Sequence, residues 1–125
     1  MSYVLVAMGG GLGAALRYGS VQAATRALGH SFPYGTLIVN VVGSFCMGAF
    51  VVWLASRSSG DAALRLLFAT GLLGGFTTFS AFSLDALTLY ERGAYGATAA
   101  YVLLSVGISL AAIAVGMWGA RSLLS

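Results

Sequence analysis

Long stretches without a single charge constrain this chain more than any other feature. Its charged residues stand at Arg17, Arg26, Arg57, Asp61, Arg65, Asp85, Glu91, Arg92 and Arg121. Between them run residues 27–56, 66–84 and 93–120, each long enough for the ~20 apolar residues a helix needs to cross a hydrocarbon core of ~30 Å. The residues before Arg17 are also apolar, and a snorkelling Arg17 lets that span extend towards Leu28. The expectation is an all-α membrane protein: one four-helix transmembrane domain over residues 1–125, with almost nothing outside the bilayer. Composition agrees, since 59% of residues are hydrophobic and 7% charged, against the ~25% charge of a soluble domain.

Several function classes drop out. No positive residue precedes the first apolar stretch and no small-residue cleavage site follows it, so the start reads as a span rather than a cleavable signal peptide. Cys46 is the only cysteine, which excludes a disulfide framework or a thiolate metal site and leaves a buried thiol packing as a small hydrophobe. His30 has no companion ligand near it and reads as a solvated loop histidine beside Pro33. The net charge of +3 comes from dispersed arginines, too scattered for a nucleic-acid surface. The spans hold no nucleophile–base pair and no metal-ligand cluster, so the chain is not read as an enzyme.

Each span then carries its own polar or small-residue signature. Gly9, Gly10, Gly11 and Gly13 are followed by no Lys-Ser/Thr pair, so a helix-packing face is preferred over a phosphate loop. In span two, Thr36, Asn40, Ser44 and Gly48 fall on one helical stripe. An asparagine at that depth must find partners, and two readings stand: a helix–helix hydrogen bond or a pore-lining amide. Span three places Gly71, Gly74 and Gly75 ahead of Thr77, Thr78, Ser80 and Ser83, a poor sequence for continuous helix. Irregular backbone at membrane depth is tolerated only when buried in protein or lining a cavity, so a broken third helix built for a site is expected. Phe76, Phe79 and Phe82 share a helical face there, which taken alone suggests packing. Span four repeats the four-residue spacing with Tyr101, Ser105 and Ser109. Serine in a membrane helix often bonds its own backbone, but beside Asn40 and the hydroxyls of span three the stripe reads as a shared polar track.

Four spans put both termini on one side, together with Arg57, Arg65 and Arg121, while Arg26, Arg92 and Arg17 belong to the other. The positive-inside rule orients a chain by such differences, and here the two sides nearly balance. A chain without bias inserts both ways, and two oppositely inserted copies make an inverted-topology pair. Polar stripes on three helices of so short a chain also need a second surface. A dual-topology antiparallel homodimer follows as the expected assembly.

The residues also resemble a known family. Gly10-Gly11-Leu12-Gly13-Ala14 with Arg17-Tyr18, Pro33-Tyr34-Gly35-Thr36-Leu37 with Val39-Asn40 and Gly43, and above all Gly74-Gly75-Phe76-Thr77-Thr78-Phe79-Ser80-Ala81-Phe82 are similar to the Fluc/CrcB fluoride channels, nearly end to end. The resemblance implies a multi-pass protein of the bacterial inner membrane through which cytoplasmic fluoride leaves passively. It implies an antiparallel homodimer with two fluoride pores and a structural sodium ion at its centre. By that likeness Asn40, Phe79 and Phe82 line the fluoride path with Thr78 and Ser80 beside them, and Tyr101, Ser105 and Ser109 form its hydroxyl track. Backbone carbonyls of Gly74 and Thr77 hold the sodium. Two residues depart from the family pattern: Ala81 stands where threonine is usual, and Ile113 where some relatives extend the hydroxyl track.

The residue types suit an anion that holds its water tightly, because amide and hydroxyl donors replace that water without a full charge and an aromatic ring has a positive edge. A small proton-coupled multidrug exporter is the nearest rival, but such export needs a membrane-embedded carboxylate and only Asp85, at the end of span three, is available. A non-transporting assembly subunit is the other alternative, which flux in liposomes separates from a channel.

Overall fold

The computed structural model describes residues 1–57 and 62–124. Asp61 and the centre of the loop between Arg57 and Arg65, whose side was inferred above, lie outside the described residues. Four helical spans are long and apolar enough to cross a membrane: Ser2–Leu28, Tyr34–Ser56, Ala62–Glu91 and Tyr95–Leu124. No strand occurs among the described residues.

Helix association in a bilayer cannot draw on the hydrophobic effect, so it depends on close backbone approach at small residues. The first span meets the third in this way. A Cβ at Gly9 would strike the Leu67 carbonyl oxygen, and one at Gly13 the Leu72 carbonyl oxygen. The second and fourth spans, also in extensive contact, use a reciprocal pair: Gly48 lies against the Ile113 carbonyl and Gly116 against the Phe45 carbonyl. The packing face read from Gly9 and Gly13 is therefore present.

Little apolar surface is hidden inside one chain. Val39, Leu54, Ala69, Phe82, Leu89 and Tyr101 are buried, while Leu103, Leu110 and Trp118 are among many large apolar side chains left exposed. Cys46, expected among buried residues, is also exposed. It lies on an outer face of the second span, where an apolar thiol is as acceptable to lipid as to a protein interior. His30 is exposed in the loop before the second span, as read from the sequence.

The third and fourth spans are joined by a tight cap. Gly93 takes φ 81, with its N–H on the Tyr90 carbonyl at 3.0 Å and the Ala94 N–H on the Leu89 carbonyl at 3.0 Å. This paired pattern ends a helix on a left-handed glycine. Arg92 ties that turn to the first loop through a 3.2 Å bond from Nη2 to the Ser31 carbonyl. Tyr90 and Tyr95 pack here with ring centroids 5.2 Å apart and their planes tilted by 57°. At the other end the Arg57 guanidinium lies 5.0 Å from the Trp53 ring centre. Aromatic and arginine side chains at both ends match the two membrane–water interfaces.

The third span is irregular before Ser80. Arg65–Leu73 is π-helical, a form rare in proteins and concentrated at functional sites. One α-helical turn, Gly74–Phe76, follows. Thr77 is extended at φ −87, ψ 157, and helix resumes only at Ser80–Glu91.

Candidate functional site

The irregular stretch is stitched to the second span by one side chain. Asn40 Nδ2 donates to the Thr78 carbonyl at 2.9 Å, and the Thr78 N–H donates to Asn40 Oδ1 at 2.8 Å. In a continuous helix that N–H would close on the carbonyl of Gly74, four residues back. Its diversion to Asn40 takes the helical donor away from Gly74. Thr77 closes the preceding turn, since its N–H and its hydroxyl both donate to the Leu73 carbonyl at 3.0 Å. Thr78 opens the next one, its Oγ1 accepting from the Ala81 N–H at 3.2 Å as a helix N-cap does.

These elements enclose a cavity of about 450 Å³. Asn40 and Ser44 of the second span form one wall, and Gly74, Thr77 and Thr78 line the irregular segment. Phe79 and Phe82 form a second wall, their ring centroids 5.5 Å apart at 47°. Ser105, Val106, Ser109 and Leu110 of the fourth span complete the lining. Phe79 is 76% exposed in the single chain, Val106 48% and Leu110 64%, so the cavity lies open on one flank.

Ser105 and Ser109 are the unusual members. Both hydroxyl oxygens are buried and, among the described residues, neither has a hydrogen-bond partner. The self-bonding expected of serine in a membrane helix is absent from both, although Thr88 and Thr98 do bond carbonyls four residues back. A buried hydroxyl without a partner carries the full desolvation cost of about 1–3 kcal/mol, and such groups are few in native structures and concentrate where a polar group has a role beyond the fold.

Eight of the ten residues singled out from the sequence thus line one cavity: Asn40, Gly74, Thr77, Thr78, Phe79, Phe82, Ser105 and Ser109. Tyr101 and Ser80 are outside that lining. Tyr101 is fully buried, and its hydroxyl donates to Asp85 Oδ2 at 3.2 Å. Its ring packs on Phe82 at 5.2 Å, backing the cavity wall. Ser80 is exposed, with its Oγ 3.4 Å from the Thr78 hydroxyl. Phe76, expected on one face with the other two phenylalanines, precedes the extended Thr77 and packs near Gly43.

Sequence reading left two neighbours out of the site. Ser44 shares the Asn40 stripe and lines the cavity, a position its four-residue spacing already marked. Arg17, read as snorkelling to the membrane surface, turns sideways instead and donates from Nε to the Gly75 carbonyl at 3.3 Å. A carbonyl of the third span is a better partner for a half-buried guanidinium than a path through lipid, and no periodicity argument could identify it. Among the described residues no three His, Cys, Asp or Glu side chains gather as a metal site; the oxygens around the cavity belong to backbone carbonyls, hydroxyls and the Asn40 amide.

The chain is similar to known proteins over most of its length. The family model for CrcB-like protein, Camphor Resistance (CrcB), matches residues 4–117. A protein of Chelativorans sp. called fluoride-specific ion channel FluC is 58% identical over 121 residues, covering 97% of each chain. Proteins of the same name from Cereibacter sphaeroides and Rhizobium johnstonii are 57% and 52% identical over 120 residues, covering 96% of this chain and 94% and 96% of theirs. With a family match over most of its length and relatives at this identity, the chain belongs to the CrcB-like family.

Proposed function

We propose that this protein is a fluoride-selective ion channel, a multi-pass bacterial membrane protein that lets cytoplasmic fluoride leave passively. The observation that carries the reading is the pair of buried, unpartnered hydroxyls of Ser105 and Ser109 in a cavity shared with Asn40, Phe79 and Phe82. Those two serines supply donors that no described residue uses. Asn40 spends one Nδ2 hydrogen on Thr78 and retains a second, because a primary amide has two. The phenylalanine edges add positive electrostatic potential without a charge that would trap the ion. Weak, neutral sites in series suit conduction, which fails if any one of them binds too tightly. The name shared by the relatives, fluoride-specific ion channel FluC, supports this choice of anion.

The finer reading is a dual-topology antiparallel homodimer with two pores, in which the third span works as two half-helices. The open flank of the cavity, bounded by Phe79, Val106 and Leu110, is where a second copy would close it. A sodium ion fits the donor set at the interruption. The Gly74 carbonyl has lost its helical donor to Asn40, and Thr77 sits in extended backbone between the half-helices. Gly74 and Thr77 would hold the ion through these oxygens, and a two-fold axis would double their number. The ion would supply fixed positive charge that joins the two chains; conduction is assigned to the side chains above. Tyr101 and Asp85 support the Phe82 wall from behind.

Purified protein in liposomes should release fluoride on addition of a potassium ionophore and retain chloride under the same gradient. Protein that assembles but passes neither ion, or passes both equally, overturns the reading.

A further inference from the structure

We infer that Arg17 is a positioning residue for the channel: through Nε it caps the end of the first half of the third span and turns the Gly75 carbonyl away from the pore. The inference rests on the fluoride-channel reading and adds a residue to it. Gly9, Gly13 and Arg17 are spaced four apart, so they lie on one face of the first span. The first two bring that face against the Leu67 and Leu72 carbonyls, and the next turn delivers Arg17 Nε to the Gly75 carbonyl at 3.3 Å. The glycine face therefore aims the arginine.

The contact meets a specific need. Helix stops after Phe76, which leaves the last carbonyls of that half-helix without main-chain donors, at a depth where water does not replace them. Leu73 is satisfied by Thr77, and the donor that would have served Gly74 goes to Asn40. The donor that would have served Gly75 is the N–H of Phe79, which now sits at the start of the next half-helix. Arg17 takes its place. Gly75 is absent from the cavity lining, whereas Gly74 and Thr77 are part of it, so the arginine sorts the exposed carbonyls into one held back and two presented. Its positive charge also opposes the negative end of the half-helix dipole, which would otherwise repel an anion beside Phe79. Among the described residues Arg17 has this carbonyl as its partner and no carboxylate.

Three substitutions separate the parts of this role. Arg17→Gln keeps an N–H donor at the same distance along the side chain as Nε and removes the charge. Arg17→Lys keeps the charge but moves the donor one bond further out. Arg17→Met keeps neither. In liposome flux, Arg17→Gln should stay within about threefold of wild type and above Arg17→Lys, while Arg17→Met should fall by about tenfold, the loss of one hydrogen bond involving a charged group. Flux ordered Lys above Gln, or unchanged in all three, overturns the inference; should Arg17→Met not assemble, the order of the other two decides it. A second readout is independent of fluoride conduction. Gly75-Phe76 is the only Gly-Phe pair in the chain, so ¹³C-carbonyl glycine with ¹⁵N-phenylalanine isolates the Gly75 carbonyl in solid-state NMR. Its carbonyl resonance should move upfield in Arg17→Met and hold its place in Arg17→Gln, and no shift in Arg17→Met overturns the inference even if wild type conducts no fluoride at all.

Discussion

Asn40 holds both polar groups of the Thr78 backbone, accepting from its N–H at 2.8 Å and donating to its carbonyl at 2.9 Å. One side chain thereby takes the place of two helical hydrogen bonds at the point where the third span is irregular. The two readings of Asn40 left open by the sequence are thus compatible, since the amide that makes the helix–helix contact also faces the cavity.

Replacing Asn40 tests that double role. Asn40→Asp removes the donor and sets an oxygen against the Thr78 carbonyl, leaving a polar pair unsatisfied at a cost of about 1–3 kcal/mol. Lower thermal stability in detergent and fluoride flux reduced by about tenfold or more are expected together. Wild-type stability with wild-type flux would remove Asn40 from both roles.

The two phenylalanines should separate stability from conduction. Phe79 is 76% exposed within the chain and Phe82 8%, so Phe79→Ile leaves the fold of one chain nearly untouched, whereas Phe82→Ile costs about 1 kcal/mol through its contact with Tyr101. Both replace an electropositive ring edge with an aliphatic group, and both should lower fluoride flux in an intact assembly. Undiminished flux in either variant would show that its ring edge does not contact the ion.

Ser105→Ala and Ser109→Ala should behave unlike most polar truncations. Each removes a buried hydroxyl that has no partner among the described residues, so stability should hold or rise by up to about 1 kcal/mol while fluoride flux falls. Thermal unfolding in fluoride-free buffer supplies the first measurement and liposome efflux the second. Destabilisation by more than that would mean the hydroxyls serve the fold.

Close helix contact makes a sharper prediction at neighbouring glycines. Gly13→Ala drives a methyl into the Leu72 carbonyl, whereas a methyl at Gly10 meets its nearest neighbour, the Gly71 carbonyl, at 3.9 Å. Gly13→Ala should cost roughly 1–3 kcal/mol, as overpacking does, and Gly10→Ala much less. Equal yields of folded protein and equal melting temperatures would contradict the packing described for the first and third spans.

The spans, the packing face at Gly9 and Gly13, and the stripe of Ser105 and Ser109 are legible in the sequence because they depend on hydropathy and on the helical repeat. Both properties belong to a single helix and need no neighbour. Partner choice is different, because periodicity names the face a residue occupies and not what lies across from it. Only the tertiary structure joins Asn40 to Thr78, turns Arg17 inward to Gly75 and engages Tyr101 with Asp85. It also leaves Ser80 and Tyr101 outside a cavity that their neighbours line, and Cys46 exposed rather than buried. The physical reason is the same in each case: a polar group at membrane depth takes whichever partner the packing of other spans brings within about 3 Å, and that packing is set by glycines distributed over all four helices.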